Sequence, residues 1–203
     1  MIRRNVKQPS AKKVAPRPPA DRRAGIVGAA VDVFLRYGYA RTTMGDIAAG
    51  AGISRPTLYD AFPGKEDVFA AAVEALDAQS YAEMHAALPR HRTLEARLRY
   101  ACKKWGAHGF DITAVHPDAR DLFDLNYPAV QAMYGRFCAF VADMIAPAVA
   151  ASALAAGAPE LARSLVFAMR GLEQTAVDGA DMRRLIDLQV SALLALLAGR
   201  APE

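Results

Sequence analysis

The chain of 203 residues carries 25 lysines and arginines against 21 acidic residues, and 53% of its residues are hydrophobic. This composition supports a packed core and excludes a wholly disordered chain. Cys102 and Cys138 lie in apolar surroundings without metal-ligand spacing, so we predict reduced core residues of a cytoplasmic protein. The basic start is not followed by an apolar signal region, and the longest apolar stretches, 145–158 and 188–198, are too short to span a bilayer.

The first twenty residues are basic, rich in proline and free of acidic side chains. Such a segment buries too little apolar surface to fold alone, so we predict a disordered arm over residues 1–20. The arm is either simply solvated or lies along DNA phosphates or in the minor groove. Residues 1–67 carry twelve basic and six acidic side chains, whereas residues 68–203 carry thirteen and fifteen. Positive charge is therefore concentrated in the first third of the chain.

A helix is predicted from Asp21 to about Gly38, because apolar residues recur there at helical spacing. Next comes a stretch in which capping and turn residues follow one another at short intervals. Thr43 with Asp46 three residues later is typical of a capping box, which satisfies two free amides at a helix start. Gly52 is suited to the left-handed conformation that ends a helix.

A second short helix is predicted directly after this turn. Ser54 is a favoured N-cap residue, and Pro56 falls in the first turn, where its missing N–H costs little. Leu58 and Phe62 then face inward at i, i+4 spacing. The outward face carries a guanidinium, hydroxyls and an aromatic ring, on Arg55, Pro56, Thr57, Tyr59 and Asp60. Residues 43–65 therefore predict a helix-turn-helix whose second helix suits a DNA major groove.

At these positions the chain resembles the DNA-binding signature of TetR-type transcriptional regulators. The residues that carry the resemblance are Thr43, Ile47, Ala48, the 51–54 turn, Thr57, Leu58, Tyr59, Phe62, Lys65, Glu66 and Phe69. The signature covers roughly residues 22–70, and the rest of the chain matches in length and helical texture. Pro56 and the Asp60-Ala61 pair depart from the commonest residues of the family, which bears on base preference.

The resemblance implies a helix-turn-helix domain over residues 21–67 that binds operator DNA. The N-terminal end of a recognition helix faces base edges, so we assign Arg55 and Thr57 as base readers, with Pro56 against a thymine methyl. Phosphate contacts are assigned to side chains near helix N-termini or on the outer face of the recognition helix: Thr43, Tyr59 and Lys65.

The remaining residues predict only helices, because no segment alternates polar and apolar residues. The predicted spans are 65–88, 93–109, 117–125, 128–147, 159–178 and 180–199. We therefore predict an all-α fold of about nine helices, in which residues 68–203 form a ligand-binding and dimerisation domain.

The last two predicted helices are apolar on several faces, and a chain of this size has little left to cover them. Small residues on the first would let another helix approach closely. We therefore predict a homodimer that forms through these helices, with an interface that includes Leu165, Ala168, Gly171, Leu172, Leu193 and Leu197.

Aromatic and polar residues gather in the middle of the chain. Most aromatics at helical spacing are simply core, but the family resemblance implies a pocket for a small-molecule effector in this region. Its candidate lining is Tyr100, Trp105, His108, Phe123, Tyr127, Tyr134 and Phe137.

Catalytic and metal-binding patterns are missing from the sequence, so we expect no enzyme, no metal and no cofactor. The resemblance implies a cytoplasmic homodimeric repressor that binds double-stranded operator DNA, releases it when an effector binds, and has no membrane partner. Two alternatives remain open. One is a DNA-binding regulator that responds to a protein partner or to no ligand, and the other is an enzyme or small-molecule carrier built on a helical bundle.

Overall fold

The computed structural model describes residues 19–199, so nearly all of the predicted basic arm, 1–20, lies outside the described residues. Within this range the chain forms α-helices and short 3₁₀ helices without a strand, which confirms the predicted all-α fold. The α-helices are α1 Pro19–Arg41, α2 Met44–Gly50, α3 Arg55–Ala61, α4 Lys65–Ala87, α5 Leu94–Val115, α6 Pro128–Ala150, α7 Ala158–Leu172 and α8 Gly179–Leu197. The 3₁₀ helices are Leu88–Arg90 and Pro117–Phe123, and the second is called the 117–123 segment below.

Helix ends depart from the predictions at three places. Helix α5 passes Gly109, which lies against the Phe123 ring, and continues to Val115. Helix α6 tolerates Pro147 and ends within the same turn, at Ala150. Helix α7 ends at Leu172, six residues before the predicted boundary, and a turn leads into α8.

The predicted helix-turn-helix punctuation is confirmed. The Thr43 side chain accepts from the Asp46 amide while the Asp46 side chain accepts from the Thr43 amide, which is a complete capping box. The Thr43 hydroxyl and the Thr43 amide both donate to the Asp46 carboxylate, and these hydrogen bonds lower its pKa. Gly52 has a φ of 64°, and Ser54 caps α3 by accepting from the Thr57 amide.

Helix α1 packs behind α2 and α3. Phe34 of α1, Ile47 of α2 and Leu58 of α3 are all buried. Arg23 of α1 donates to the Ala61 carbonyl at 2.6 Å and lies 3.9 Å over the buried Phe62 ring, so it ties α1 to the C-terminal end of α3. Helices of seven residues are marginal alone, and this packing holds them in place.

The other helices form a bundle that shares one continuous core with this N-terminal unit. Helix α6 packs against α4 and α7, and α8 packs against α5 and α7. Among residues 19–199, α6 alone is long and apolar enough to cross a membrane by length and composition. Its buried side chains, which include Phe137, Val141 and Ile145, contact the bundle, as in the core helix of a globular protein.

Gly38 interrupts α1 with a φ of 74°, a conformation that L-residues rarely adopt. A Cβ at this position would lie 2.3 Å from the Asp118 carbonyl oxygen of the 117–123 segment. The end of α1 and the 117–123 segment therefore approach as closely as a glycine permits.

Gly38→Ala is expected to lower the free energy of unfolding by about 2 kcal/mol or more, because it adds a left-handed strain of roughly 1–2 kcal/mol to a backbone clash. Gly28→Ala, on the same helix with open space around its Cβ position, is the matched control. It should raise stability by about 0.5–1 kcal/mol. Denaturant titration of both variants checks this, and an unchanged midpoint for Gly38→Ala would contradict the geometry.

Candidate DNA interface and effector cavity

The outer face of α3 presents two of the three predicted base-contacting residues to solvent, because Arg55 and Pro56 are exposed in the first turn. Tyr59, a predicted phosphate contact, is 47% exposed one turn later. Thr57 is half-buried, and its hydroxyl forms a 2.8 Å hydrogen bond with the Ser54 hydroxyl. The two hydroxyls thus lie together beside the helix start, with the Arg55 guanidinium on the exposed side.

The predicted phosphate contacts differ in their surroundings. Thr43 is exposed at the start of α2. Lys65, at the start of α4, is half-buried and donates to the Tyr39 carbonyl at 2.9 Å, with its ammonium group 4.2 Å from the centre of the Tyr39 ring. Lys65 therefore has partners within the subunit, and its contact with a phosphate stays a prediction.

A second interaction holds the end of α1 from the other side. The Asp121 carboxylate accepts from the amides of Tyr39 at 2.9 Å and Ala40 at 2.8 Å. The Tyr39 ring packs on Phe69 of α4 at 4.6 Å and on Tyr127 at 4.8 Å between ring centroids. We call these five residues the Tyr39 junction. It joins α1, α4 and the 117–123 segment at one point.

A partly open cavity of about 60 Å³ lies behind the Tyr39 junction. Val31 and Phe34 of α1 form one wall and α4 forms another, from Phe69 to Ser80. Its remaining walls come from α5, α6, the 117–123 segment and the end of α7. Four of the predicted effector-binding residues line this cavity: Trp105, His108, Phe123 and Tyr134.

The other three predicted pocket residues do not line the cavity. Tyr100 stacks on His91 with ring centroids 4.7 Å apart, and Tyr127 belongs to the Tyr39 junction. Phe137 is fully buried and stacks on Trp105 at 4.2 Å, so it supports the cavity wall from behind. Spacing did not separate Tyr100 and Phe137 from the cavity residues, because both lie on apolar helix faces, whereas Tyr127 is the extended N-cap residue of α6.

The polar part of the cavity wall was not predicted from the sequence. Asp77 and Ser80 on α4 are 4% and 8% exposed, and the Asp77 Oδ1 and Ser80 Oγ atoms have no hydrogen-bond partner in the described chain. The other Asp77 oxygen accepts from Arg136 Nε at 2.7 Å. Burial raises the pKa of Asp77, and Arg136 and Trp105 act in the opposite direction.

Two further titratable groups lie on the wall. Burial raises the pKa of Glu173, against the effect of Arg170. Burial and the nearby Lys104 lower the pKa of His108, which stands at the exposed rim. In residues 19–199 no cluster of three His, Cys, Asp or Glu is placed to hold a metal ion, and Cys102 and Cys138 are both free.

The predicted dimer residues fall into two groups. Leu165 and Leu193 are only 5% and 7% exposed within the subunit, so they have little surface left for a partner. Ala168, Leu172 and Leu197 are half-buried, and Gly171 is exposed. The large exposed apolar residues of α7 and α8 belong to the apolar faces predicted for these helices but lie outside the predicted interface set: Phe167, Leu188 and Leu196.

Taken together, a capped two-helix turn with an exposed second helix stands on a bundle that encloses a cavity. This geometry defines a helix-turn-helix protein with an all-helical body. The sequence model described as "Bacterial regulatory proteins, tetR family" matches residues 26–72, which span the helix-turn-helix and the start of α4. Residues 26–72 therefore match the DNA-binding segment of the TetR family.

Individual relatives match the same segment. The chain is 41% identical over 46 residues to the uncharacterized HTH-type transcriptional regulator YezE of Bacillus subtilis, which covers 23% of this chain and 24% of that protein. It is 41% identical over 56 residues to the HTH-type transcriptional regulator EthR of Mycolicibacterium smegmatis, which covers 28% and 26%. The match thus spans about a quarter of the length of each relative.

Solved structures extend the similarity to the whole fold. A transcriptional regulator from Cytophaga hutchinsonii superposes with a TM-score of 0.65 at 23% identity, over 84% of this chain and 95% of that one. A tetR-family transcriptional regulator from Streptomyces coelicolor gives 0.65 at 24% identity, over 89% and 83%. At these identities the comparison shows a shared fold.

Asp121→Asn is expected to speed amide hydrogen exchange at Tyr39 and Ala40 by about tenfold or more, because hydrogen bonds to a charged acceptor contribute roughly 1.5–3 kcal/mol. Asp124→Asn is the matched control, since the Asp124 side chain accepts from the Asn126 amide in its own loop. Exchange measured by NMR checks this. Equal rates at residues 39 and 40 in the parent and Asp121→Asn would show that Asp121 does not hold this turn.

Proposed function

We propose that this protein is a sequence-specific DNA-binding transcriptional repressor, which acts as a homodimer and releases its operator when a small molecule enters the cavity. The observation that carries the proposal is the outer face of α3. It is held on a confirmed helix-turn-helix, and it presents Arg55, Pro56 and Tyr59 to solvent. The family membership of residues 26–72 supports DNA as the partner of this face.

Electrostatics favour the same partner. The excess of basic residues lies in the first third of the chain, and phosphate attraction makes such an excess useful for DNA binding. Arg55 is the arginine on the recognition helix itself, at a position from which arginine commonly contacts guanine in the major groove.

We expect a helix-turn-helix domain of this size to bind DNA as a dimer. Two readers related by a two-fold axis bind half-sites about 34–36 Å apart, so operator affinity depends on how the subunits are held together. The exposed face of α7 and α8 is the surface proposed for this contact, and the same patch from each subunit would meet across the axis.

Release by an effector is supported by what surrounds the cavity. Pockets for drug-sized ligands measure about 300–1,000 Å³, so a cavity of about 60 Å³ must expand to admit one. Its walls include α1 and α4, which also support the helix-turn-helix through the Tyr39 junction. Expansion therefore moves the helices that set the spacing of the two recognition helices.

The whole proposal is tested by selecting binding sites from a random DNA library and footprinting the protein on DNA that flanks its own coding region. A pseudo-palindromic site that is released by a small molecule from a metabolite panel supports the proposal. Specific binding without any release would favour a regulator that responds to a protein partner or to no ligand. Catalytic turnover without DNA affinity would favour an enzyme.

Arg55→Ala is expected to cost about 1–3 kcal/mol on the selected operator and to relax base preference at one position in each half-site. Affinity for a scrambled duplex should change by less than about threefold, because base contacts carry specificity and phosphate contacts do not. The matched control is Arg36→Ala, which removes the same charge from an exposed position on α1. Equal losses on both duplexes would assign Arg55 to the phosphates instead.

Gly171→Glu is expected to give monomers in sedimentation velocity and to abolish tight operator binding. Nothing lies within 4 Å of a Cβ built at Gly171, so the subunit itself accommodates a side chain there and its melting temperature should stay within a few degrees. Gly135→Glu, at an equally open exposed glycine on α6, is the matched control and should remain dimeric. Leu193 is unsuitable for this test, because a buried charge there would unfold the subunit.

A further inference from the structure

We propose that the cavity takes a small organic ammonium ion: a primary amine attached to a compact aromatic or aliphatic body, with its N–H groups directed at Asp77 Oδ1 and Ser80 Oγ. This inference names the effector class for the proposed function and rests on it for its regulatory meaning, although binding itself is measurable without DNA.

The polar atoms on the cavity wall require a ligand that donates hydrogen bonds. Asp77 and Ser80 are three residues apart on α4, so their side chains are neighbours on one face of that helix. Both residues are more than nine-tenths buried, and each presents to the cavity wall an oxygen for which no donor stands in hydrogen-bonding geometry. The Trp105 side chain lies close enough to Asp77 to lower its pKa, so a ligand at Asp77 also meets the indole. An ammonium group has three donors and no acceptor, so it can satisfy both oxygens at once.

Charge favours a cation over an anion or a neutral donor. Over the described residues, the charged side chains on the cavity wall are the two carboxyl groups of Asp77 and Glu173. The two nearby arginines already have partners, and neither lines the cavity. Arg136 binds the other oxygen of Asp77 and is 45% exposed, and Arg170 donates to the Phe123 carbonyl at 2.8 Å and the Tyr134 hydroxyl at 3.0 Å.

The apolar part of the wall suits the same ligand. Aromatic side chains from five parts of the fold line the cavity: Phe34, Phe69, Trp105, Phe123 and Tyr134. Ring faces attract cations through their quadrupole, and Trp does so best. The rings also contact an aromatic or aliphatic body, so the wall matches both ends of an arylalkylammonium ion.

The chain contains a single tryptophan, and Trp105 lies on the cavity wall. Its indole packs against Tyr134 at 4.9 Å and Phe137 at 4.2 Å, so a molecule that enters the cavity changes its surroundings. Trp105 fluorescence therefore reports binding to the unmodified protein at neutral pH. The probes are benzylammonium, neutral benzyl alcohol and anionic benzoate, which share one ring and differ in charge.

Benzylammonium is expected to bind at least about tenfold more tightly than benzyl alcohol, because charge-assisted hydrogen bonds contribute roughly twice as much as neutral ones. Benzoate should produce no saturable change at the same concentrations. Benzyl alcohol or benzoate binding as tightly as benzylammonium would overturn the proposal, and so would a complete lack of benzylammonium binding. These three titrations use the parent protein, so they test the preference for a cation without any variant.

Two variants locate the contact. Asp77→Asn keeps the shape of the side chain and removes its charge, so it should weaken benzylammonium binding by about tenfold or more and change benzyl alcohol binding by less than about threefold. Ser80→Ala should weaken benzylammonium by a smaller factor. Glu74→Gln removes the same charge from an exposed position one turn earlier on α4 and should leave both affinities unchanged. Unchanged benzylammonium affinity in a folded Asp77→Asn protein would overturn the assignment.

The titrations also separate this inference from the proposed function. Benzylammonium that binds as described but leaves operator affinity unchanged would contradict effector release and leave the ligand class intact. Operator release by a neutral or anionic molecule that quenches Trp105, with no cation preference, would support release and overturn the ligand class.

Discussion

Two backbone amides at the end of α1 are held by one carboxylate, and the relation between the helix-turn-helix unit and the bundle depends on that contact. Asp121 reaches Tyr39 and Ala40 from the 117–123 segment, and Gly38 makes the approach possible because a side chain there would strike the Asp118 carbonyl. On the opposite side Lys65 donates to the Tyr39 carbonyl. The backbone at Tyr39 and Ala40 is thus held both through its two N–H groups, which donate to Asp121, and through the Tyr39 carbonyl, which accepts from Lys65.

The cavity lies directly behind this contact, which explains how a small molecule could act on α3 from a distance. Leu122 and Phe123 of the 117–123 segment face the cavity, while Asp121 of the same segment holds the end of α1. A ligand shifts such an equilibrium only as far as it binds one arrangement better than the other. In the proposed function the small volume of the cavity would supply that difference, because a ligand that needs more room would favour an arrangement in which these helices stand apart.

Features that depend on neighbours in sequence were predictable. The capping box of Thr43, the left-handed Gly52 and the Ser54 cap each arise within a few residues, and each is present as expected. Contacts between distant parts of the chain were not predictable. Asp121 carries no local pattern that indicates its hydrogen bonds to Tyr39 and Ala40, which lie 82 and 81 positions earlier in the chain.

Prediction of the aromatic residues from sequence met the same limit. Helical spacing shows that a ring lies on an apolar helix face, but it does not show which neighbouring helix packs against that ring. Tyr100 and Phe137 therefore looked equivalent to Trp105 in the sequence. One signal for the cavity was present. Asp77 and Ser80 continue the apolar stripe of α4 beyond Val73, and a polar residue at a buried position of such a stripe indicates a polar site inside the fold.

Helices α1 and α4 serve as cavity wall and as support for the recognition helix at the same time, and this double use has a thermodynamic consequence. If a bound effector weakens operator affinity by some factor, the operator must weaken effector affinity by the same factor. Protein on DNA is then a poorer receptor than protein free in the cell. The effector concentration that clears an operator therefore rises with operator strength, so one regulator can release its weak sites first and its strong sites last.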